Sequence, residues 1–432
     1  MHIVDTALAK RHQSGNPVRV ALVGAGYMGR GIALQIVTCM TGMKLVAIAN
    51  RTRAEAARAY REAGIAAPRD VETVAQLQDA IRQGQFAITD NPLLLCEAEG
   101  IDAVIEATGE VEFASKIVMH AIKNHKHIIL MDAELDATIG PILKVYADRA
   151  GVVITNTDGD EPGVAMNLFR FVKTIGYQPV LAGNIKGFID PYRTPATQQA
   201  FAAKVNQKPK MITSFADGTK LAMETTLLAN ATGLQVGKRG MYGHRCAHVK
   251  DLLTFFSADQ LLERGLVDYA LGAEPGTGAF VVGYNEQPIL QQYMSYFKMG
   301  DGPLYLFYTP YHLPHLQLAL TAARAVLFHD PTIAPLGAPV CDVITLAKRD
   351  LRAGEILDGI GGFTCYGTIE NSRVCRADNL LPMGLSEGCR VKNDLARDQA
   401  ITYADVSLPA GRLADQLRAE QDAYFANVVK SS

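Results

Sequence analysis

The sequence predicts an α/β fold, with a doubly wound parallel sheet first, a mixed α+β region next and a small β-rich region near the C-terminus. Three observations lead to this prediction. Apolar strand-like runs alternate with helical patterns up to about residue 156. Polar, glycine-rich stretches separate apolar ones over 157–330, and glycine and proline then become frequent from Pro331 without helical periodicity.

The boundaries follow from these changes of pattern. Residues 4–15 predict a short helix, and six buried strands come after it. The predicted strands are 19–23, 44–49, 86–89, 101–107, 127–131 and 152–156. The predicted domains are 1–156 for cofactor binding, 157–330 for substrate, catalysis and oligomer contacts, 331–410 as a β-rich domain, and 411–432 as a terminal helix.

The first predicted strand leads into GAGYMGRG. Gly24, Gly26 and Gly29 have the spacing G-x-G-x-x-G, and a helical pattern follows. In this context the motif predicts a Rossmann-type dinucleotide site. Gly24 permits a tight turn, Gly26 lets the backbone approach a pyrophosphate, and Gly29 lets helix and strand pack closely. Tyr27 and Met28 belong to the same predicted cofactor loop.

The end of the second predicted strand indicates the cofactor. Asn50 lies where an acidic residue would bind the ribose hydroxyls of NAD, and Arg51 and Arg53 follow it. A neutral side chain followed by guanidinium groups suits a 2′-phosphate, so we predict NADP(H). The alternative for the two arginines is a solvated start to the next helix.

Later strand ends predict residues beside the nicotinamide. Thr108 and Gly109 follow the fourth strand and Glu134 follows the fifth. Ligands of doubly wound sheets bind outside the carboxyl ends of the strands, so we assign these three residues to the cofactor site. The alternative is a plain strand-to-helix turn.

Three residues of the middle region are the predicted catalytic groups. Lys186 lies between glycines and apolar residues, and Lys220 and Glu224 are one turn apart in an apolar helical pattern. A lysine in such surroundings can stabilise a developing alkoxide, and a buried polar pair needs a partner or a purpose. The alternatives are a surface lysine for Lys186 and a surface salt bridge for the pair.

The substrate site is predicted from residues of the same region. A lysine cluster suits a phosphate or a carboxylate, although a solvated basic loop explains it equally well. The assigned residues are Lys204, Lys208, Asp217, Asn230, Tyr311 and His312. The histidine pairs His244/His248 and His312/His315 lack an accompanying carboxylate motif, so we assign no metal ligands. A divalent metal remains an open alternative for the activity.

Composition excludes several function classes. A net charge of -2 gives no reason to expect a nucleic acid or an anionic membrane as partner. The seven cysteines are scattered, which is typical of reduced thiols. With no visible signal peptide or membrane span, we expect a cytoplasmic protein that binds a small-molecule substrate.

Four stretches together resemble a known family: GAGYMGRG, EATGE, DGTKLAMETTLLANATG and the tail from AKRDLRAGEILDGIGGFTCYG to VKNDLARDQAITYADV. The chain is similar over nearly its whole length to homoserine-dehydrogenase-like oxidoreductases that end in a SAF domain. Among them it resembles the 1-deoxy-D-xylulose 5-phosphate reductoisomerase-like enzymes of the second class. The resemblance implies an SAF-like fold for 331–410, an NADPH-dependent reduction, a role in isoprenoid biosynthesis, and a homodimer or homotetramer.

These observations give one leading hypothesis and two alternatives. The first is an NADPH-dependent oxidoreductase acting on a small polyhydroxylated or phosphorylated carbonyl compound, with or without skeletal rearrangement. The second is a sugar-acid or polyol dehydrogenase without rearrangement. The third is a non-catalytic NADP-dependent sensor, against which the lysines and carboxylate of the middle region argue.

Overall fold

The computed structural model describes residues 2–431, which form two compact units. The first unit contains the residues up to 159 together with 313–334 and the segment from 413 onward. The second unit contains 160–312 and 335–412. Within residues 2–431, no helix combines the length and the apolarity needed to cross a membrane.

The elements of the first 159 residues alternate between helix and strand, after an N-terminal helix. They are α1 (His2–Gln13), β1 (Val18–Val23), α2 (Tyr27–Cys39), β2 (Met43–Ala49), α3 (Arg53–Glu62), β3 (Arg69–Asp70), α4 (Val74–Arg82), β4 (Ala87–Thr89), α5 (Leu93–Glu97), β5 (Ala103–Glu106), α6 (Val111–Lys123), β6 (His127–Leu130), α7 (Ala133–Ala150) and β7 (Ile154–Asn156).

The next elements mix helices with longer strands. They are α8 (Glu161–Thr174), β8 (Gln178–Lys186), α9 (Pro195–Lys204), α10 (Pro209–Ala216), α11 (Thr219–Thr232), α12 (Ala258–Arg264), β9 (Leu266–Leu271), β10 (Thr277–Tyr284), α13 (Pro288–Tyr296), β11 (Leu304–Thr309) and α14 (Pro314–Phe328). The remaining elements are short apart from the last helix. They are β12 (Cys341–Ala347), β13 (Cys365–Asn371), α15 (Ser372–Ala377), β14 (Arg390–Val391), β15 (Val406–Ser407) and α16 (Leu413–Ser431).

The first unit is built on a seven-stranded parallel sheet in the order β3-β4-β2-β1-β5-β6-β7. The chain starts in the middle at β1, runs outward on one side and returns to continue beside β1 at β5. The α/β class, the doubly wound parallel sheet and all six predicted strands are confirmed. The two-residue strand β3 was missed, because two residues show no periodicity.

The reversal of strand order between β1 and β5 positions the predicted cofactor loop. Ligands of such sheets bind at this switch point, outside the carboxyl ends of the strands. The loop after β1 and the turn after β5 are neighbours there, since β1 and β5 pair from Val20↔Ala103 to Val23↔Glu106. The core beneath them is apolar and includes Leu22, Ile32 and Ile105.

The terminal helix belongs to the first unit and packs against α7. Inside α7, Pro141 has no N–H group and crowds the carbonyl of the preceding turn. The backbone groups beside this proline bind side chains of α16: Arg418 Nη1 donates to Thr138 O at 3.2 Å, and Gln421 Oε1 accepts from Ile142 N at 3.2 Å. The C-terminal helix therefore satisfies polar backbone at the proline site.

The second unit contains a four-stranded sheet in the order β11-β10-β8-β9. β8 runs antiparallel to β10 and parallel to β9. Helices α8 and α11 pack against each other and against β8. Every residue of α11 except its last, Thr232, is buried. Polar side chains that α11 carries therefore lie in the interior of the unit.

The tail contains a near-repeat in its sequence, Lys348-Arg349-Asp350-Leu351 and Lys392-Asn393-Asp394-Leu395, and the two copies pair in the structure. Leu351 and Leu395 exchange two backbone hydrogen bonds of 2.9 Å in an antiparallel bridge. Asp350 Oδ1 accepts from Arg397 N, and Asp394 Oδ1 accepts from Ala353 N, both at 2.9 Å. Each copy of the repeat thus binds the backbone two residues beyond the leucine of the other, which gives the pair a local pseudo-symmetry.

The division into units groups the chain differently from the predicted consecutive domains. Residues 335–412 share a unit with 160–312, whereas α14 and α16 complete the first unit. The strands β12 to β15 form two two-stranded sheets, separate from the seven-stranded one. The boundaries at 156, 330 and 410 stay predictions of domain limits.

We expect Gln421→Leu to destabilise the protein, because it leaves the Ile142 N–H group buried without its acceptor. Such a loss costs about 1–3 kcal/mol of the free energy of unfolding. Chemical denaturation with separate probes for the two units measures it. The control is Gln416→Leu, the same change at an exposed position of the same helix. Equal denaturation midpoints for the two variants would contradict the role given to Gln421.

Candidate active site

The glycine loop between β1 and α2 has the geometry predicted for a phosphate-binding turn. Gly24 has φ 103°, which favours glycine, and a Cβ there would lie 2.7 Å from Ala107 O. A Cβ on Gly29 would collide with the carbonyl oxygen of Gly24. At Gly26, the N-cap of α2, a Cβ would meet open space. The loop is therefore closed on its protein side and open where a pyrophosphate would approach.

Asn50, directly after β2, forms hydrogen bonds that stabilise this loop. Its Oδ1 accepts from Ala25 N at 3.0 Å, and its Nδ2 donates to Thr52 O at 3.0 Å. The amide oxygen and the amide nitrogen of Asn50 both bind the protein backbone, so this side chain stabilises the conformation of the loop. Its neutrality, on which the NADP(H) prediction relied, leaves this crevice without the carboxylate that NAD-binding sheets place there.

The two arginines after β2 lie in different surroundings. Arg51 is exposed. Arg53 forms ion pairs with Asp90 at 2.9 Å, Glu72 at 3.4 Å and Asp70 at 3.7 Å. A phosphate at Arg53 would meet these three carboxylates. The surroundings therefore favour Arg51 for the 2′-phosphate, and both assignments stay predictions.

The turn after β5 contains a pair of carboxyl groups that the sequence analysis did not select. Thr108 N donates to Glu106 Oε1 at 3.1 Å, and Thr108 Oγ1 donates to the same oxygen. Gly109 N donates to Asp132 Oδ2 at 2.5 Å. Burial, and then the charge of Asp132, raise the pKa of Glu106 well above its ordinary value. The carboxyl groups of Glu106 and Asp132 thus fix the turn that carries Thr108 and Gly109.

The other predicted cofactor residues lie near helix starts. Tyr27 begins α2 and is 47% exposed, so its ring is accessible beside the open glycine, whereas Met28 is half-buried. Glu134 lies buried in the first turn of α7, after β6. Their roles toward a cofactor stay predictions.

In the second unit, three elements bring a lysine and two carboxyl groups together. Glu161 begins α8, Lys186 ends β8, and Glu224 lies in the buried helix α11. Asn184 precedes Lys186 by two residues, so both side chains leave the same face of the strand. The sheet face toward α8 and α11 thus positions the whole cluster.

Lys186 and Asn184 each contact both carboxyl groups. Lys186 Nζ donates to Glu161 Oε2 and, at 3.1 Å, to Glu224 Oε2. Asn184 Nδ2 donates to the same two oxygens, at 2.7 Å and 3.0 Å respectively. The side chain of Lys186 is 21% exposed, whereas those of Glu161 and Glu224 are 2% and 5% exposed. Of these four side chains, that of Lys186 is therefore the most accessible to an incoming molecule.

The two carboxyl groups differ in protonation. Burial raises the pKa of Glu161 to about 8, against the opposing charge of Lys186 and with a further rise from Glu224. Burial would also raise the pKa of Glu224, but the charges of Lys186 and Lys220 hold it below its ordinary value. Near neutral pH, Glu161 therefore carries a proton and Glu224 a negative charge.

The ammonium group keeps its proton in this environment. Burial alone would lower the pKa of Lys186, but the charges of Glu161 and Glu224 outweigh it and raise the pKa above its ordinary value. Lys186 is thus a fixed cation that donates hydrogen bonds. The proton that is available for transfer near neutral pH lies on Glu161.

His312 extends the cluster. Its Nδ1 lies 3.6 Å from Glu161 Oε1 and shares a hydrogen bond of 2.9 Å with Thr277 Oγ1. Burial lowers the pKa of His312, and the charge of Glu224 only partly opposes this. A neutral imidazole beside a protonated carboxyl group can accept and return a proton.

Of the residues predicted from the sequence, Lys186, Glu224 and His312 meet in this cluster. Lys220 lies buried one turn before Glu224 and acts on its pKa. Tyr311 is 52% exposed next to His312, and Lys204 and Lys208 are exposed around the connection from α9 to α10.

Two predicted substrate residues bind other parts of the protein. Asp217 is buried and pairs with Lys348 at 2.9 Å. Asn230 Oδ1 accepts from Val340 N at 2.7 Å and from Cys341 N at 3.1 Å, which fixes the start of β12. Both side chains therefore have a structural role. Their assignment to the substrate site stays a prediction.

Glu161 and Asn184 were missed. Glu161 lies in DGDEPG, where the glycines and the proline are typical of a connection between domains. The available signal was an acidic residue directly before a proline at the start of an apolar helix, a position that favours carboxylates. Asn184 is separated from Lys186 by one residue, and the alternation of a strand would have placed both on one face.

Within the part of the chain that the structure describes, no three histidine, cysteine, aspartate or glutamate side chains come together as a metal site requires. A substrate can itself supply ligands to a metal ion, so assays with and without a divalent cation test whether the activity requires one.

Comparison with known proteins relates this cluster to a class of enzymes. Residues 159–318 match the family described as the catalytic domain of oxidoreductase DRL. The matched span contains every residue of the cluster, from Glu161 to His312. This part of the chain is similar to an oxidoreductase catalytic domain, which supports the predicted class; the match stops short of the SAF-like region predicted at 331–410.

Solved structures with a similar fold include dehydrogenases. A probable dehydrogenase from Thermotoga maritima is 13% identical, with 74% of this chain and 90% of that chain covered and a TM-score of 0.41. A homoserine dehydrogenase from Thiobacillus denitrificans is 16% identical over 78% and 83%, with a TM-score of 0.42. A scyllo-inositol dehydrogenase from Lactobacillus casei is 12% identical over 73% and 89%, with a TM-score of 0.39. A search of curated proteins finds no match.

We expect Glu161→Gln to make the stability of the protein less dependent on pH. The folded state keeps the proton of Glu161 up to a pKa of about 8, whereas an ordinary glutamate releases it near 4.5. The wild type therefore loses stability as the pH rises from about 4.5 to 8, by up to about 1.4 kcal/mol per pH unit. The variant lacks this loss.

Urea denaturation at a series of pH values tests this expectation. Glu263→Gln is the matched control, since the side chain of Glu263 is 66% exposed. The variant at position 161 should show a flatter pH dependence than both the wild type and the control. Parallel curves for all three proteins would mean that Glu161 titrates normally.

Proposed function

We propose that the protein is an NADPH-dependent oxidoreductase that reduces the carbonyl group of a small polyhydroxylated or phosphorylated compound. The observation that carries the proposal is Lys186, whose side chain is 21% exposed and whose ammonium group is held between a protonated and a charged carboxyl group. The match of residues 159–318 to an oxidoreductase catalytic domain supports the class.

The cluster supplies the groups that carbonyl reduction needs at oxygen. The Lys186 ammonium donates a hydrogen bond to the carbonyl oxygen, and this bond strengthens as negative charge develops there. Because the pKa of Lys186 is raised, the net proton comes from Glu161, which contacts Nζ and holds a proton up to about pH 8. His312 is placed to return a proton to Glu161 Oε1.

The cofactor residues of the proposal belong to the first unit. The open face of Gly26 and the N-terminus of α2 would hold the pyrophosphate, and Arg51 would bind the 2′-phosphate. The turn Thr108–Gly109 would lie beside the nicotinamide, which supplies the hydride. The fit rests on the closed and open sides of the glycine loop and on the neutral Asn50.

A reductoisomerase-like activity is the finer form of the proposal. Glu224 stays charged beside the protonated Glu161, so the cluster contains a base as well as an acid near neutral pH. A base that takes the proton of a neighbouring hydroxyl group is what coupling reduction to skeletal rearrangement requires. The sugar-acid or polyol dehydrogenase would use the same groups without this step.

A substrate screen that follows NADPH absorbance, with and without a divalent cation, tests the proposal. It includes deoxyxylulose phosphate, branched tetronates and homoserine. Oxidation of NADPH with any of them supports the oxidoreductase, and product analysis separates reduction from rearrangement. Tight NADPH binding without turnover across a broad carbonyl and polyol set would favour the sensor instead.

We expect Lys186→Met and Lys220→Met each to lower kcat by at least about 100-fold, with NADPH affinity nearly unchanged. The first removes the donor to the substrate oxygen, and the second removes a charge that keeps Glu224 ionised. Glu224→Gln should show a smaller loss. Lys250→Met, at an exposed lysine of the same unit that is assigned to no site, is the control. Near-native turnover in all three site variants would move the active site elsewhere.

We expect Arg51→Ala to weaken NADPH binding about ten-fold or more while changing NADH binding little, because only NADPH carries the 2′-phosphate. Titration of each cofactor measures the two dissociation constants. Arg61→Ala, an exposed arginine near the other end of α3, controls for general charge. A wild type that prefers NADH would overturn the cofactor assignment.

A further inference from the structure

One connection of the second unit is much longer than its strands require. β10 and β11 are antiparallel neighbours, and Tyr284 pairs with Leu304 at the end where the chain leaves the sheet. A turn of about two to five residues joins strands in this arrangement. Instead the chain runs through residues 285–303, which contain α13.

The helix in this connection gains little packing from the rest of its own chain. It has nine residues, and all of them are at least partly exposed. Helices shorter than about 12–15 residues are marginal in water without packing against other structure. A regular helix at this place therefore needs a surface that its own unit does not supply.

Five exposed side chains of α13 and of the residue after it are large and apolar. Ile289, Tyr293 and Tyr296 follow the spacing of one helical face and are 66%, 58% and 78% exposed. Leu290 and Phe297 add to them, at 39% and 65%. We call these five residues the α13 surface.

The charge pattern selects among occupants of this surface. From Gln287 to Phe297 the sequence contains no charged residue. A charged protein or nucleic acid would find no complementary charge, and a helix that binds a membrane surface carries lysine or arginine on its polar face. An identical uncharged surface, in contrast, meets itself across a two-fold axis without repulsion.

The exposed area of the α13 surface supplies most of what a dimer interface needs. An aromatic side chain buries roughly 150–250 Å² when enclosed, so the α13 surface offers about 600 Å² per copy. A stable interface buries about 800 Å² per partner. The C-terminal end of α8 continues the patch, since Asn285 Nδ2 donates to Gly176 O at 3.0 Å and the adjacent Ile175 is 43% exposed.

We propose that the α13 surface is the interface with a second copy of this chain. The 285–303 connection extends from the sheet, and α13 packs on the α13 of the partner around a two-fold axis. The contact is apolar and isologous. It stabilises a helix that is too short to persist alone.

The test compares two double variants of the full-length protein. Tyr293→Lys with Tyr296→Lys places four lysines around the proposed two-fold axis. Leu336→Lys with Phe201→Lys adds the same charge at positions that are 74% and 54% exposed outside the α13 surface. All four side chains are exposed, so neither change removes a buried contact of the fold.

Sedimentation velocity over a range of about 0.1 to 50 µM gives the mass of each protein. We expect an assembled wild type, an unchanged control, and an α13 variant whose dissociation constant is raised at least about 100-fold. A monomeric wild type over the whole range, or an α13 variant that assembles like the wild type, overturns the proposal.

Hydrogen exchange gives a second measurement on the unmodified protein. The amides of 288–297 should exchange slowly at high concentration and quickly once dilution has dissociated the assembly. Exchange of this segment that does not change on dissociation would place the interface elsewhere and overturn the proposal even if the lysine variant changed the mass.

Discussion

The candidate site depends on one electrostatic arrangement, the ammonium group of Lys186 between two buried carboxyl groups. Removing an ion from water costs several kcal/mol unless a partner and further hydrogen bonds compensate it. Here Lys186 contacts Glu161 and Glu224, and the amide of Asn184 contacts the same two oxygens. The start of α8, the end of β8 and the middle of α11 are therefore held in register by a single set of contacts.

The same arrangement separates the properties of the two glutamates. Two carboxyl groups a few ångströms apart in a medium of low dielectric constant repel each other when both are ionised, which raises the pKa of one of them. Glu224 receives the field of two lysines, whereas Glu161 is deeply buried and shares only one of them. Acid and base thus arise from position alone, which is a common way for one site to hold both at neutral pH.

The sequence predicted what local pattern encodes. Buried parallel strands are continuous apolar runs, and the glycine spacing has one well-understood geometric cause, so the sheet and the loop of Gly24 could be derived. Lys186 and Glu224 were selected as candidate site residues because charged residues in apolar surroundings require a partner or a function. The repeat around Leu351 and Leu395 was visible as well, although its mutual pairing was not.

Contacts between distant segments of the chain could not be predicted from local sequence patterns. Nothing near Glu161 shows that a strand beginning at Gln178 will bring a lysine to it, and the surrounding glycines and acids imitate a linker. In the sequence, Arg53 and Arg51 are equivalent candidates for the 2′-phosphate. The fold distinguishes them, because the sheet places carboxylates from the ends of β3 and β4 beside Arg53. Likewise, the partners of Asn230 lie 110 and 111 residues further along the chain.

The contacts of α16 with α7 bear on how the protein is made. Residues 138–142 carry the proline-interrupted backbone, and the side chains that bind it come from positions 418 and 421. A ribosome adds residues at about 5–20 per second, so these segments are synthesised many seconds apart. All strands of the sheet in the second unit are translated before α16, so this sheet can form on the nascent chain. During that time the face of α7 that binds α16 remains uncovered. A chaperone or the ribosome surface has the longest opportunity to act on the sheet that is translated first.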